Sequence, residues 1–133
     1  MFDDIVEKYD PKKNGIYSFL NPYTYLLVRK AELSIDGWYI DGMSLVYLLR
    51  LFGVKANRVS FDMTSIARNL FEEAASDRLS IAVVGSKDED LRKFLGVIAR
   101  RYPGVDFVYS RNGYFSSEAE KFDCINTIKS IEP

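Results

Sequence analysis

The stretch from residue 79 to residue 108 constrains the fold more than any other. Ile81-Ala82-Val83-Val84 is an unbroken apolar run that Gly85 ends, the pattern of a strand covered on both faces. Ser86 stands three residues before Glu89, a capping-box spacing. Leu91, Phe94, Leu95, Ile98, Ala99 and Tyr102 then follow at helical intervals, Pro103-Gly104 breaks the helix, and Val105-Asp106-Phe107-Val108 opens another strand. Strand, helix and strand in that order predict a right-handed βαβ crossover, which requires parallel strands.

The rest of the chain repeats the alternation. Residues 16–20 read as a strand ending at Asn21-Pro22, followed by a helix over residues 23–33 with proline in its first turn. Trp38-Tyr39-Ile40 is a short strand ending at Asp41-Gly42, and a helix over 43–52 stops at Gly53. Leu45, Val46, Leu48, Leu49, Leu51 and Phe52 cover most of that helix's circumference, so it is predicted to be buried on several sides. Asp62 or Thr64 caps a helix carrying Ile66, Ala67, Leu70, Phe71, Ala74 and Ala75 on one face. A last helix starts near Ser117, three residues before Glu120, and runs toward Ile131. The sum is an α/β fold, Rossmann-like, with a mainly parallel sheet and helices on both faces. At 133 residues and 47% hydrophobic content, the chain is read as one domain, 1–133, able to form a core without disulfide or cofactor.

Eighteen basic residues against nineteen acidic ones leave a net charge of -1, which argues against nucleic acid as a partner. Cys124 is the single cysteine. It allows no internal disulfide, points to a reducing, cytoplasmic compartment, and reads as a small buried apolar residue in a helix. The start, MFDDIVEKYD, lacks the basic and apolar regions of a signal peptide. No stretch approaches the roughly 20 apolar residues of a membrane span. The protein is therefore expected to be soluble, or at most peripheral at a membrane.

The chain contains no histidine. Ser-His-Asp triads, Cys-His pairs and histidine metal sites are excluded together, and a general base must be a carboxylate or, less often, Lys, Tyr or Cys. Ligands of open parallel sheets bind beyond the carboxyl ends of the strands. Asn21, Asp41-Gly42 and Gly85-Ser86 stand at such ends, and neighbouring strands would converge them on one crevice. Amides after Gly85 suit a diphosphate, although many α/β turns look alike. Asp41 can equally cap the following helix, with Gly42 easing the turn. Asp36-Gly37 competes with it but reads as a turn between Ile35 and Trp38. Asp88-Glu89-Asp90 spells the D-x-D of metal-dependent transferases. In the first turn of a helix, however, acids serve the dipole, so no metal is expected. Gly113-Tyr114-Phe115 can equally be a turn followed by core aromatics.

Taken in order, these pieces resemble the WecG/TagA/CpsF family of glycosyltransferases from about residue 16 to residue 133. The resemblance is carried by Asn21 after the first strand, IDGMSLVYLLRLFG for an Asp-Gly-x-x-x-Val helix, and RVSFDMTSIARNLF for an Arg-Val-x-Gly-x-Asp-Leu stretch. It continues through IAVVG, RYPGVDFV and the Gly-Tyr-Phe signature in RNGYF. Phe19 stands where members often carry threonine, and RVSFD is a residue shorter than the family's stretch. The resemblance implies metal-independent, inverting transfer of an N-acetylmannosamine-type or similar sugar from a UDP-sugar to a polyprenyl-diphosphate-linked sugar, in surface-polysaccharide assembly at the inner membrane face. It gives Asp41 the general-base role and Asn21, Gly42 and Gly85 donor-site roles, with no cofactor; Ser86, Gly113 and Tyr114 are counted beside them as candidate substrate-binding residues. Members continue into a Gly-x-Pro-x-Gln-Glu motif and a C-terminal appendage, so weak donor binding and slow turnover are expected of this chain, with an apolar surface inviting self-association. The alternative is a non-catalytic α/β module that binds a nucleotide or a partner protein.

Overall fold

The computed structural model describes residues 5, 15–31 and 33–133. The N-terminal stretch scanned for a signal peptide lies outside them apart from Ile5, as does Glu32 within the helix predicted over 23–33. Backbone contacts divide the chain into two compact units, residues 1–68 and 69–133.

The first unit is built on β1 (Tyr17–Leu20), α1 (Pro22–Val28), β2 (Gly37–Ile40) and α2 (Met43–Leu51). β1 and β2 pair in parallel, Tyr17 beside Gly37 through Leu20 beside Ile40. The second edge of β2 takes parallel bridges from Ile5 to Trp38 and from Arg58 to Ile40. Both faces of this small sheet are covered, which is why all four residues of β2 are buried. On one face Leu20, Trp38 and Ile40 meet Leu45, Val46 and Leu49 of α2, with Tyr25 and Val28 of α1 alongside. On the other, Tyr39 packs with Val59 and Ile66, joined by Tyr17 and Phe19.

Two expectations for this unit need correction. α1 ends at Val28 rather than near residue 33. Leu33 is exposed and buys no burial by staying helical, while the chain must turn back to lay Gly37 beside Tyr17. α2 is not buried on several sides. Leu45, Val46 and Leu49 are buried, but Leu48, Leu51 and Phe52 are exposed, as are Met43 and Tyr47. Three buried aliphatic side chains, at roughly 1.5–3 kcal/mol each, are enough to dock a helix of this length without the others.

The second unit contains most of α3 (Ile66–Asp77), then β3 (Ser80–Val84), α4 (Asp88–Arg101), β4 (Asp106–Arg111) and α5 (Glu118–Ile131). β3 and β4 pair in parallel, as the crossover requires, with Val108 skipped in the register after Ile81. β3 is half-buried with Val84 exposed, less covered than its apolar run suggests, because among the described residues β4 is its only strand neighbour. Phe71 of α3 holds the ring stack of this unit, 6.0 Å from Phe94 and 5.8 Å from Tyr102. Cys124 is buried in α5, and a hydrogen bond with it, together with burial, pushes the Tyr109 hydroxyl up from its ordinary pKa. Ser117 caps α5 as expected, accepting from the Glu120 amide at 3.3 Å, and the Glu120 carboxylate accepts from the Ser116 amide at 2.6 Å.

All strand pairs described are parallel, and helices are interspersed among the strands, so the chain is an α/β protein.

Gly104 illustrates how tightly α3 meets the β4 turn. A Cβ there would lie 2.4 Å from the Ala75 carbonyl oxygen and 3.0 Å from its carbon, backbone atoms that cannot swing aside. Gly104→Ala is expected to cost about 1–3 kcal/mol. Gly96→Ala, inside α4 with nothing nearer than the Arg100 guanidinium at 3.8 Å, should stabilise by about 0.5–1 kcal/mol. Urea unfolding of the two variants checks both signs.

Candidate functional site

Parallel pairing in register brings the ends of β1 and β2 together. The Asp41 amide donates to the Leu20 carbonyl at 2.8 Å. A Cβ built on Gly42 would sit 3.4 Å from Pro22 Cδ and 3.6 Å from Asn21 Cβ. Asn21, Asp41 and Gly42 therefore form one corner at the carboxyl ends of the two strands.

Asn21 is the N-cap of α1. Its Oδ1 accepts from the Thr24 amide at 2.9 Å, and the Thr24 hydroxyl accepts from the Asn21 amide at 2.8 Å. The acceptor end of the side chain is thus committed locally, while among the described residues its Nδ2 makes no hydrogen bond. Asp41 is not the cap of α2. Gly42 holds that position without any side-chain bond, and no acid occupies the first turn. Among the described residues the amides opening α2 therefore have no capping side chain, beside a carboxylate directed elsewhere. That carboxylate meets Arg58, whose Nη2 lies 3.3 Å from Asp41 Oδ1.

Arg58 also reaches Asp62 Oδ2 at 3.3 Å. Asp62 is held by the Ser60 hydroxyl, by the Thr64 hydroxyl at 2.6 Å and by the Thr64 amide at 2.8 Å. Ser60, then Thr64, and least of all Arg58 hold its carboxyl well below the ordinary value of 3.8. Arg58 and Asp62 were not singled out as site residues from the sequence, although both stand in the RVSFD stretch that carries the family resemblance. Their relation to Asp41 is long-range, and nothing local in the sequence encodes it.

Asp36 sits at the opposite end of β2. Its carboxylate accepts from the Ile16 amide at 2.8 Å, and its own amide donates to the Ile16 carbonyl at 2.8 Å. It fastens the start of the ladder, where Tyr17 lies beside Gly37, at the end away from Asn21. Phe19 packs 5.4 Å from Tyr39 and edge-on to Phe61 at 6.4 Å.

The remaining candidates lie in the second unit and form a group of their own. The Gly85 amide donates to the Arg111 carbonyl at 3.1 Å, and the Gly113 amide to the Ser86 carbonyl at 3.0 Å. A Cβ on Gly113 would come within 3.0 Å of Gly85 Cα, so this crossing admits no side chain. Tyr114 is exposed, and Phe115 lies under the Arg111 guanidinium at 4.2 Å. Ser86 is not the cap of α4. It adopts a left-handed φ of 61°, whereas an N-cap needs an extended backbone, so the cap falls to Lys87 without a side-chain bond.

The Gly85 turn is poorly suited to an anion. The Gly85 amide is already used, and Asp88, Glu89 and Asp90 fill the first turn of α4, where their charge repels a diphosphate. Asp88 accepts from Asn112 Nδ2 at 3.1 and 3.3 Å, and Glu89 pairs with Lys93 at 2.6 Å. Among the described residues no group of three His, Cys, Asp or Glu side chains is arranged to hold a metal ion, and no helix is long and apolar enough to cross a membrane.

The family model described as Glycosyl transferase WecG/TagA/CpsF family matches residues 1–133. A relative from Shigella boydii, a UDP-Gal:alpha-D-GlcNAc-diphosphoundecaprenol beta-1,4-galactosyltransferase, is 35% identical over 117 residues. The match covers 86% of this chain and 49% of the relative, so the chain spans about half the relative's length.

The capping box makes a measurable claim about Asn21. Asn21→Ala should cost about 1 kcal/mol by denaturant unfolding, and Asn21→Asp, which keeps the acceptor oxygen, only a few tenths. Equal losses in the two variants would show that the cap is not what holds α1.

Proposed function

Because the chain belongs to the WecG/TagA/CpsF family of glycosyltransferases, we propose that it serves transfer of a hexose or N-acetylhexosamine from a UDP-sugar to a sugar carried on a polyprenyl diphosphate. The relative's substrates, a UDP-hexose and a diphosphoundecaprenol-linked amino sugar, support that pairing. N-acetylmannosamine and galactose are the donor sugars to compare. The observation that carries the proposal is the corner where Asn21 and Asp41-Gly42 meet at the uncapped start of α2.

In this reading Asp41 takes the proton from the acceptor hydroxyl as its oxygen attacks the anomeric carbon. The bond from that carbon to the UDP oxygen breaks, and the configuration inverts. Asn21, through Nδ2, and the Gly42 turn contact the donor. The amides opening α2 favour the charge that grows on the departing diphosphate. Gly85, Ser86, Gly113 and Tyr114 belong to the proposal as a separate group. Their acidic surroundings suit neutral parts of a substrate better than its phosphates. This reading invokes no metal ion; Asp88, one of the two aspartates of the D-x-D pattern, accepts from Asn112 within its own unit. A polyprenyl acceptor would bring the chain to a membrane surface, where exposed Leu26 and Leu27 of α1 and Leu51 and Phe52 of α2 are candidates for the contact.

Asp41→Asn should lower transfer to a polyprenyl-diphosphate N-acetylglucosamine acceptor by about 10²–10⁴-fold, with or without EDTA. Its fold should survive, since an exposed ion pair contributes at most about 1 kcal/mol. Asp36→Asn, which keeps an oxygen for the Ile16 amide, should leave most of the rate. A larger loss at Asp36 would move the base to the other Asp-Gly. UDP binding with no transfer by the unmodified chain would favour the non-catalytic nucleotide-binding module.

A further inference from the structure

Arg58 presents a single nitrogen, Nη2, to two carboxylates, 3.3 Å from Asp41 Oδ1 and 3.3 Å from Asp62 Oδ2. Both distances are at the long end for a charged hydrogen bond, as suits one nitrogen divided between two acceptors. The two carboxylates are not held alike. Asp62 is fixed by the Ser60 hydroxyl and by the hydroxyl and amide of Thr64. The loop that carries it is fixed in turn. The Arg58 backbone bridges Ile40, the Val59 amide donates to the Ile40 carbonyl at 2.8 Å, and the Ser65 and Ala67 amides both donate to the Asp62 carbonyl. Among the described residues the Asp41 carboxylate pairs with Arg58 alone, and no charged residue opens either α1 or α2 beside it.

We infer that Asp62 is a positioning residue for Asp41: anchored by Ser60 and Thr64, it draws the Arg58 guanidinium into a shared position and so limits the positive charge that Asp41 faces. The inference rests on Asp41 being the base. An arginine is charged at every working pH. Paired with Asp41 alone, it would make that carboxylate a weaker base and hold it against its acceptor. Shared with a second, fixed carboxylate, it orients Asp41 through Oδ1 while withdrawing part of its charge. The three side chains are about two-fifths exposed, at 39–41%, so water screens the effect without abolishing it. The Ser60 and Thr64 hydroxyls and the Thr64 amide that donate to Asp62 favour its ionised form, which the sharing needs.

The test is the titration of the Asp41 side-chain carboxyl followed by carbon NMR, in the unmodified chain, Asp62→Asn, Arg58→Gln and the double variant. Asp62→Asn should move the Asp41 midpoint down, by about half a pH unit to one, as Arg58 turns wholly to Asp41. Arg58→Gln should move it up. In the Arg58→Gln background, most of the Asp62→Asn effect should vanish. An undiminished effect there would mean that Asp62 acts by its field alone and would overturn the positioning role. So would an unmoved midpoint in a folded Asp62→Asn chain. The unmodified chain offers a reading that no variant's folding can confound: Asp62 must stay ionised through the whole Asp41 transition, and uptake of its proton first would sink the idea. None of these measurements requires turnover, so a failed transfer assay and a failed positioning role are separately visible.

Discussion

The hydrogen bond from the Asp41 amide to the Leu20 carbonyl closes the ladder between two four-residue strands, and the candidate site depends on that closure. With Leu20 beside Ile40, Asn21 and Asp41 leave the sheet side by side. A slip of one residue would part them by about 3.3 Å and exchange the two faces of the shifted strand. The faces are not interchangeable. One carries Leu20, Trp38 and Ile40 against α2, and the other carries the rings of Tyr17, Phe19 and Tyr39. Side chains far from the chemistry thus fix the register that assembles it. Asp36 secures the same ladder from its other end through Ile16.

On that frame, electrostatics separates turns that look alike in sequence. α2 opens without a capping side chain and without an acid, next to a carboxylate turned toward Arg58. α4 opens with three acids in its first turn, and the amide of its leading glycine is spent on Arg111. Glycine followed by a helix is present in both places. The diphosphate suits the first and not the second.

Much of this was legible in the chain because the signals are local. Asn21-Pro22 opens α1, Gly53 follows the end of α2, Pro103-Gly104 ends α4, and Ser117 with Glu120 opens α5. Parallel pairing followed from the apolar run of Ile81 to Val84 and the crossover after it. Three things were not legible, and each depends on what the chain folds against. Ser86 has the spacing of a cap, but the β3–β4 crossing forces it into a left-handed backbone. α2 is apolar almost all round, and its burial stops where its partners stop, at Leu45, Val46 and Leu49. Arg58 lies 17 residues from Asp41, and only the bridge from Arg58 to Ile40 makes them neighbours.

In the proposed function, the corner of Asn21, Asp41 and Gly42 receives the donor. Titration of UDP into the nitrogen-15-labelled chain, followed by backbone amide shifts, tests it most directly. The amides of Asn21, Asp41, Gly42 and Met43 are expected to move together along one saturable curve, with those of Asp88 to Asp90 nearly still. Shifts confined to the Pro103-Gly104 turn, or strongest at the start of α4 with the Asn21 corner unmoved, would contradict it.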